Sequence, residues 1–364
     1  MKSAAALLFV FSLSLGSLVS AAEVSDKKLI EFGWDEPDTG FMRQHIAEME
    51  RSPFDGCVFH ININTTNRET ARFTWSAWGR RAFTLDELQP AINDLKGTAF
   101  HRFTANFLRF NVTPGVDWFE DFSAIAANAR LAGLVAKAGN CPGILFDVEA
   151  YDAPLFDFRK QRDAATKSWE DYQAQVRQRG REVMAAFQQG FPGLTVFLTF
   201  GYTLPWEEMQ DGNKPLRECK YGLLPALLDG MLEAAEGSTR LLDGCENAYS
   251  YKDPRQFERA YRKMKYELLP IVANTNLYAR NMSFGFGLWM DFNSQKHAWD
   301  TADLSKNYFS PRDFETSVRK ALQVSDGYVW IYTQSPQWWS KTGHPEKLPE
   351  AYDQALRKAR LSAP

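Results

Sequence analysis

Pro142-Gly143-Ile144-Leu145-Phe146-Asp147-Val148-Glu149-Ala150-Tyr151 is the stretch from which the fold is read. A turn signal opens it, and the small and apolar residues from Gly143 to Phe146 have the character of a strand buried on both faces, as in a parallel sheet. Side chains along a strand alternate, so Asp147 and Glu149 are expected to leave the same face. Two acids side by side at the end of a buried strand cost free energy through desolvation and mutual repulsion. A fold tolerates them mainly where they are solvated, paired or working.

Outward from this stretch, strands and helices alternate without a break. Upstream, strands are expected at 29–36, 55–62 and within 102–112, with helices at 41–51 and 119–138 and one announced by the capping box Thr84-Leu85-Asp86-Glu87. Downstream the order is helix 169–189, strand 195–203, helix 221–236 and strand 239–248. A helix opens at Asp253-Pro254, followed by strand 283–292, a helix opening at Ser310-Pro311, strand 326–334 and a closing helix 348–360. Eight strand–helix units imply an α/β fold, a (β/α)8 TIM barrel with long βα loops at 63–83 and 152–167, a fold that usually runs to about 250 residues or more. An open doubly wound sheet commonly carries GxGxxG after its first strand, and the turn here is Asp35-Glu36-Pro37-Asp38-Thr39-Gly40. No linker or internal repeat divides the chain, so residues 23–364 form a single expected domain.

Residues 1–22 have the three parts of an export signal: Lys2, an apolar run over 4–18, and the small residues Val19-Ser20-Ala21-Ala22 before the expected cleavage. A secreted or periplasmic protein is predicted. No Cys follows the cleavage site to carry a lipid, and no later apolar run is long enough to span a bilayer. The net charge is −3 with acids and bases mixed, which offers nothing to nucleic acid or an anionic membrane. Arg177-Gln178-Arg179-Gly180-Arg181 reads as a solvated helix face. Cys57, Cys141, Cys219 and Cys245 allow three two-bridge pairings, although Cys57 lies in an apolar pattern and reads as a buried thiol.

The absences narrow the chemistry. The five histidines are scattered without HxH or HExxH, so no metal centre and no cofactor is expected. A Ca²⁺ or Mg²⁺ site built from Asp35, Asp147, Glu149 and Asp291 would use the same acids as a catalytic carboxylate pair. No Lys lies on a proposed strand, against a Schiff-base aldolase. The last connection, Thr333-Gln334-Ser335-Pro336-Gln337-Trp338-Trp339, is bulky and aromatic where a phosphate cradle would be rich in glycine.

A barrel of this kind builds its site at the C-terminal ends of its strands. The residues found there are mostly acidic and aromatic: Trp34-Asp35-Glu36, His60 and Asn62, Arg109 and Asn111, Asp147 and Glu149, Tyr202, Asp243 and Glu246, Trp289 and Asp291, then Trp330, Tyr332 and Gln334. Glycoside hydrolysis needs one carboxylic acid to protonate the leaving oxygen and a second carboxylate as nucleophile or base. Glu149, Asp147, Asp291 and Glu246 are the catalytic candidates. Asp35, Glu36, His60, Asn62, Arg109, Asn111, Tyr202, Tyr332 and Gln334 would bind hydroxyls, while Trp75, Trp78, Trp206, Trp289, Trp330 and Trp338 would offer flat apolar faces to sugar rings. Trp34, Trp118, Trp299 and Trp339 fall in the same connections. For Glu149 the competing role is a structural ion pair with Arg109.

The mature chain resembles the (β/α)8-barrel glycoside hydrolases. Asp147-Val148-Glu149 is similar to the Asp-x-Glu ending of strand four in the chitinase-like families. That resemblance implies Glu149 as general acid and Asp147 as the group orienting a substrate acetamido nucleophile, with Trp330 similar to the tryptophan beneath the bound sugar. Gly143-Ile144-Leu145-Phe146 departs from those families by lacking their further aspartates. The chain also resembles the retaining barrels with an acid on strand four and a nucleophile on strand seven, which implies Glu149 as acid/base and Asp291 as nucleophile. Those barrels usually carry Asn-Glu on strand four and Glu on strand seven. Retention or inversion stays open. The expected function is cleavage of a poly- or oligosaccharide; the alternative is a catalytically silent barrel that binds glycans through the same rim, a reading kept open by Gln334 where a carboxylate could have stood.

Overall fold

The computed structural model describes residues 27–63, 72–293 and 298–361, so the expected signal segment, 1–22, lies outside the described residues. In chain order the elements are β1 (Lys28–Glu31), α1 (Thr39–Met49), β2 (Gly56–Phe59), α2 (Phe73–Ser76), α3 (Leu85–Gly97), β3 (Phe107–Asn111), α4 (Ser123–Ala138), β4 (Gly143–Asp147) and α5 (Trp169–Gly190). There follow β5 (Thr195–Leu198), α6 (Thr203–Gly212), α7 (Leu224–Ala234), β6 (Arg240–Asp243), α8 (Pro254–Arg262), α9 (Thr275–Asn281), β7 (Met282–Phe284), β8 (Phe286–Trp289), α10 (Pro311–Val324), β9 (Tyr328–Tyr332) and α11 (Glu350–Ala359).

Every strand pair is parallel, and the order is β7-β6-β5-β4-β3-β2-β1-β9-β8. The two outer strands of that order, β7 and β8, are consecutive in the chain and separated only by Gly285. They are one stave that changes partner: β7 pairs with β6 and β8 with β9. The ring is therefore closed with eight staves, a TIM barrel as expected. At the change of partner Gly285 N donates to Asp243 O at 2.8 Å, and a Cβ there would lie 2.7 Å from Tyr328 O, so only glycine fits.

Alternation along the strands divides the apolar residues into two cores. Ile30, Phe32, Val58, Phe107, Leu145, Phe197, Leu242 and Trp330 fill the barrel, while a larger cluster lies between strands and helices. Gly180 of α5 touches α7 closely enough that a Cβ would lie 2.1 Å from Leu227 O. The capping boxes at Thr84 and Asp253 form as their sequences require.

The expected strands were too long, because their polar tails turn out of the sheet to build the mouth. Strand 195–203 ends at Leu198, and α6 starts at Thr203 as an additional helix; α1 and α7 sit within two or three residues of their expected bounds. Lys28 opens β1, so one lysine does lie on a strand, at the end away from the mouth. The four cysteines are all free and buried, with no disulfide among them. The basic cluster of α5 is not merely solvated: Arg177 and Arg181 both bind Glu233, and Arg179 donates to Trp118 O at 3.0 Å and stacks over Phe122 at 4.4 Å. No helix among the described residues is long and apolar enough to cross a membrane.

Candidate active site

A cavity of about 690 Å³ opens at the C-terminal ends of the strands, within the range of ligand pockets. All eight staves line it: Phe32, Trp34 and Glu36 after β1, His60 and Asn62 after β2, Arg109 on β3, Glu149 and Tyr151 after β4, Thr199 after β5, Glu246 and Tyr249 after β6, Trp289 at the end of β8, and Tyr332 and Gln334 at β9. Arg72 and Trp75 complete the wall.

Asp147 and Glu149 both turn toward the mouth of the barrel, as expected, but at different depths. The strand ends at Asp147, whose Oδ1 accepts from the Glu149 amide at 3.1 Å. Asp147 is fully buried below the cavity, where its Oδ2 accepts from Arg109 Nη2 at 2.6 Å and Nε at 3.2 Å and from the Tyr151 hydroxyl at 3.1 Å. Arg109 donates through Nη1 to Glu36 Oε2 at 2.8 Å and lies over the rings of Trp75 at 4.7 Å and Phe32 at 5.0 Å. Burial works against the guanidinium charge, yet Glu36 and then Asp147 outweigh it and hold Arg109 above its ordinary range. The competing role for Glu149, an ion pair with Arg109, is taken instead by Asp147 and Glu36, and Glu149 lines the cavity.

Glu246 comes from the turn after β6. Asp243 Oδ1 accepts from Cys245 N at 2.9 Å, Cys245 takes a left-handed backbone (φ 44°), and Glu246 N donates to Thr199 O at 3.1 Å. This brings Glu246 to the cavity that Glu149 also lines. Burial pushes the Glu246 carboxyl up to about 8, the charges of Glu149 and Asp147 add to the rise, and the Tyr249 phenol opposes it. Glu149 is raised as well, by burial and then by Asp147, against the Tyr151 phenol beside it. The charge of Glu149 thus favours the protonated form of Glu246.

The rim is aromatic and partly wired by hydrogen bonds. Tyr249 stacks on Tyr332 with ring centres 5.6 Å apart, and Trp289 meets Tyr332 edge-on at 5.2 Å. Trp34 donates Nε1 to the Tyr332 hydroxyl at 2.5 Å and leaves its ring 67% exposed.

Several expected site residues stand elsewhere. Asp291 is 2% exposed and accepts from Trp289 Nε1 at 2.8 Å, Gln334 N at 2.9 Å and Ser335 N at 2.8 Å, so it shapes the rim without lining it. Asp35 is turned to the last loop, where it accepts from Trp338 N at 2.5 Å and Trp339 N at 3.2 Å. Asn111 is fully buried beneath the mouth. Trp330 lies inside the barrel, its Nε1 donating to Gly244 O at 2.8 Å, with Tyr249 above it at 5.3 Å. Trp78 stacks on Phe146 at 5.5 Å in the outer core, Tyr202 donates to Asp229 at 2.8 Å behind the sheet, and Trp338 meets Phe54 at 4.7 Å. Trp206 packs against the outer core, Trp118 and Trp339 are buried, and Trp299 donates to Lys347 O at 3.0 Å. Each is drawn inward by its apolar area.

Sequence reasoning missed Phe32, Arg72, Tyr151, Thr199 and Tyr249 as lining residues. Tyr249 stands three residues after Glu246, one helical turn on, which is a legible signal once a turn is allowed there; Thr199 has none beyond following a strand. Among the described residues no cluster of three or more His, Cys, Asp or Glu is arranged to hold a metal ion.

No family model matches the chain, and no curated protein matches it. Among solved structures it is similar to active domain 2 of a thermostable chitinase from Pyrococcus furiosus, at 12% identity and a TM-score of 0.45, over 93% of this chain and 96% of that one. It is similar to a GH5-4 broad-specificity endoglucanase from an uncultured bacterium, at 13% identity and a TM-score of 0.46, over 90% of this chain and 86% of that one. It is also similar to triosephosphate isomerase from Bartonella henselae, at 11% identity and a TM-score of 0.36, over 85% of this chain and 92% of that one. Likeness at this identity and score says nothing of chemistry.

Proposed function

We propose that this chain is an exported glycoside hydrolase that cleaves a poly- or oligosaccharide with Glu149 and Glu246 as its carboxylate pair. The observation that carries the reading is the presence of these two acids, from the ends of β4 and β6, in one aromatic-lined cavity where the charge of Glu149 disfavours ionisation of Glu246. Glu246, with its carboxyl pushed up to about 8, is the better seat for a proton near neutral pH and serves as general acid toward the leaving oxygen. Glu149 then acts as the carboxylate, attacking the sugar or activating water. This reverses the role that resemblance implies for Glu149 and replaces Asp291 by Glu246 as its partner. Asp147 and Arg109 position Glu149 from below. The expected export signal at 1–22 supplies the secreted or periplasmic part of the proposal.

The test is release of reducing ends from neutral, amino-sugar and acidic glycans by residues 23–364, compared with Glu149→Gln and Glu246→Gln. Each substitution keeps the shape of its side chain and should lower kcat by ~100-fold or more, with KM little changed. Full activity in either variant removes that residue from the mechanism. If the wild type binds a glycan and cuts none, the catalytically silent barrel replaces the hydrolase.

A further inference from the structure

A second cavity, about 620 Å³, lies beside the first, between the loop that follows β1 and the loop that follows β9. The two cavities meet at Glu36 and His60, which line both. Hydrogen bonding sets the character of that junction. Asn62 Nδ2 donates to Asp38 Oδ2 at 3.1 Å, which fixes its amide and turns its second hydrogen to His60 Nε2, also at 3.1 Å. Nε2 therefore accepts, and Nδ1 carries the hydrogen that faces Glu36 Oε1 at 3.7 Å, beyond hydrogen-bonding distance. Glu36 Oε2 is taken by Arg109, while Oε1 is buried with no hydrogen-bond partner among the described residues. A buried acceptor left open between two cavities is costly unless a ligand donates to it.

Beyond the junction the second cavity offers neutral donors and acceptors from Gln337, Ser340 and Thr342. Its charged lining is mostly acidic, with Asp38 and Glu346 against Lys341, which repels anionic ligands. On the other side of the junction stands the exposed ring of Trp34, held in place by Tyr332.

We propose that the two cavities are one cleft and that its ligand is an uncharged linear glycan, which crosses Glu36 and His60 and places a further sugar against the Gln337–Thr342 side. A sugar hydroxyl at the crossing donates to Glu36 Oε1. The nature of the ligand rests on the glycosidase reading; the continuity of the two cavities does not. The substrate is accordingly a chain recognised over several units, and a single terminal sugar would fill only the first cavity.

The test is calorimetric titration of ladders from disaccharide to hexasaccharide, neutral, N-acetylated and uronic, into the Glu149→Gln protein with and without Thr342→Trp. Thr342 is exposed, so its substitution fills the second cavity without disturbing the core. The expected result is a Kd that tightens at least ~10-fold with length on an uncharged ladder, with the gain lost in Thr342→Trp and kept in the control Thr342→Val. Length-independent binding, a gain that survives Thr342→Trp, or preference for the uronic ladder overturns the proposal, and binding of no ladder overturns it together with the glycosidase reading. Length-dependent binding without hydrolysis by the wild type keeps the cleft and removes the hydrolase; hydrolysis with length-independent binding does the reverse.

Discussion

Glu246 holds its proton far above the ordinary 4.5 for a glutamate, up to about 8. The stability it contributes is fully present below 4.5, where folded and unfolded chains are both protonated; it is lost as pH rises towards about 8, because the unfolded chain releases the proton first. Glu246→Gln removes that slope. Melting curves should show wild type and variant nearly equal at acid pH, with the variant gaining as pH rises through about 8. Glu149 and the buried Glu31 are raised in the same sense, so the readout is the difference between the two proteins, and a flat difference would mean that Glu246 holds no such proton. At this scale the sequence was only partly legible. Period-2 alternation turns Asp147 and Glu149 to one face, but it does not show that Asp147 is buried on Arg109 while Glu149 lines the cavity. The aromatic bias of the rim was legible as a whole, yet it could not separate Trp75 and Trp289, which line the cavity, from Trp78 and Trp338, which pack behind it.

At the scale of elements, the floor of the cavity depends on one glycine. Trp330 on β9 fills the barrel beneath Tyr249, and a Cβ on Gly287 of β8 would come within 2.5 Å of its indole. Gly287→Ala should lower the unfolding free energy in urea by ~1–3 kcal/mol, the usual cost of overpacking a filled core. It should also weaken glycan binding, because Tyr249 rides on the displaced ring. An unchanged midpoint would show that the barrel interior has room to relax. The existence and order of the strands and principal helices were readable from apolar runs, caps and Pro signals, whose causes are local. The ends of the strands were not, since polar tails that continue the alternation look the same whether they pair or turn away. The partner change at Gly285 is likewise invisible to periodicity, because it depends on the approach of β9 from far along the chain.

For the whole molecule, spacing alone left the disulfide question open. The closed barrel answers it by burying the four cysteines separately. Thiol titration without reductant should find four thiols after denaturation and almost none before it, and reductant should leave the melting temperature unchanged. Fewer thiols would reveal a pairing formed outside this arrangement. The eight-unit count and the lack of GxGxxG after the first strand decided for a barrel, and the parallel ring agrees.

The bond between the first stave and the last has a consequence in time. β1 is hydrogen-bonded to β9, and Asp35 receives the amides of Trp338 and Trp339, partners separated by about three hundred residues. While the ribosome is still making the chain, β1 has one open edge, and it keeps that edge until nearly all of the polypeptide has emerged. The ring cannot shut early and trap a half-made chain. Of all the strands of the ring, the one made last is the one that locks the first.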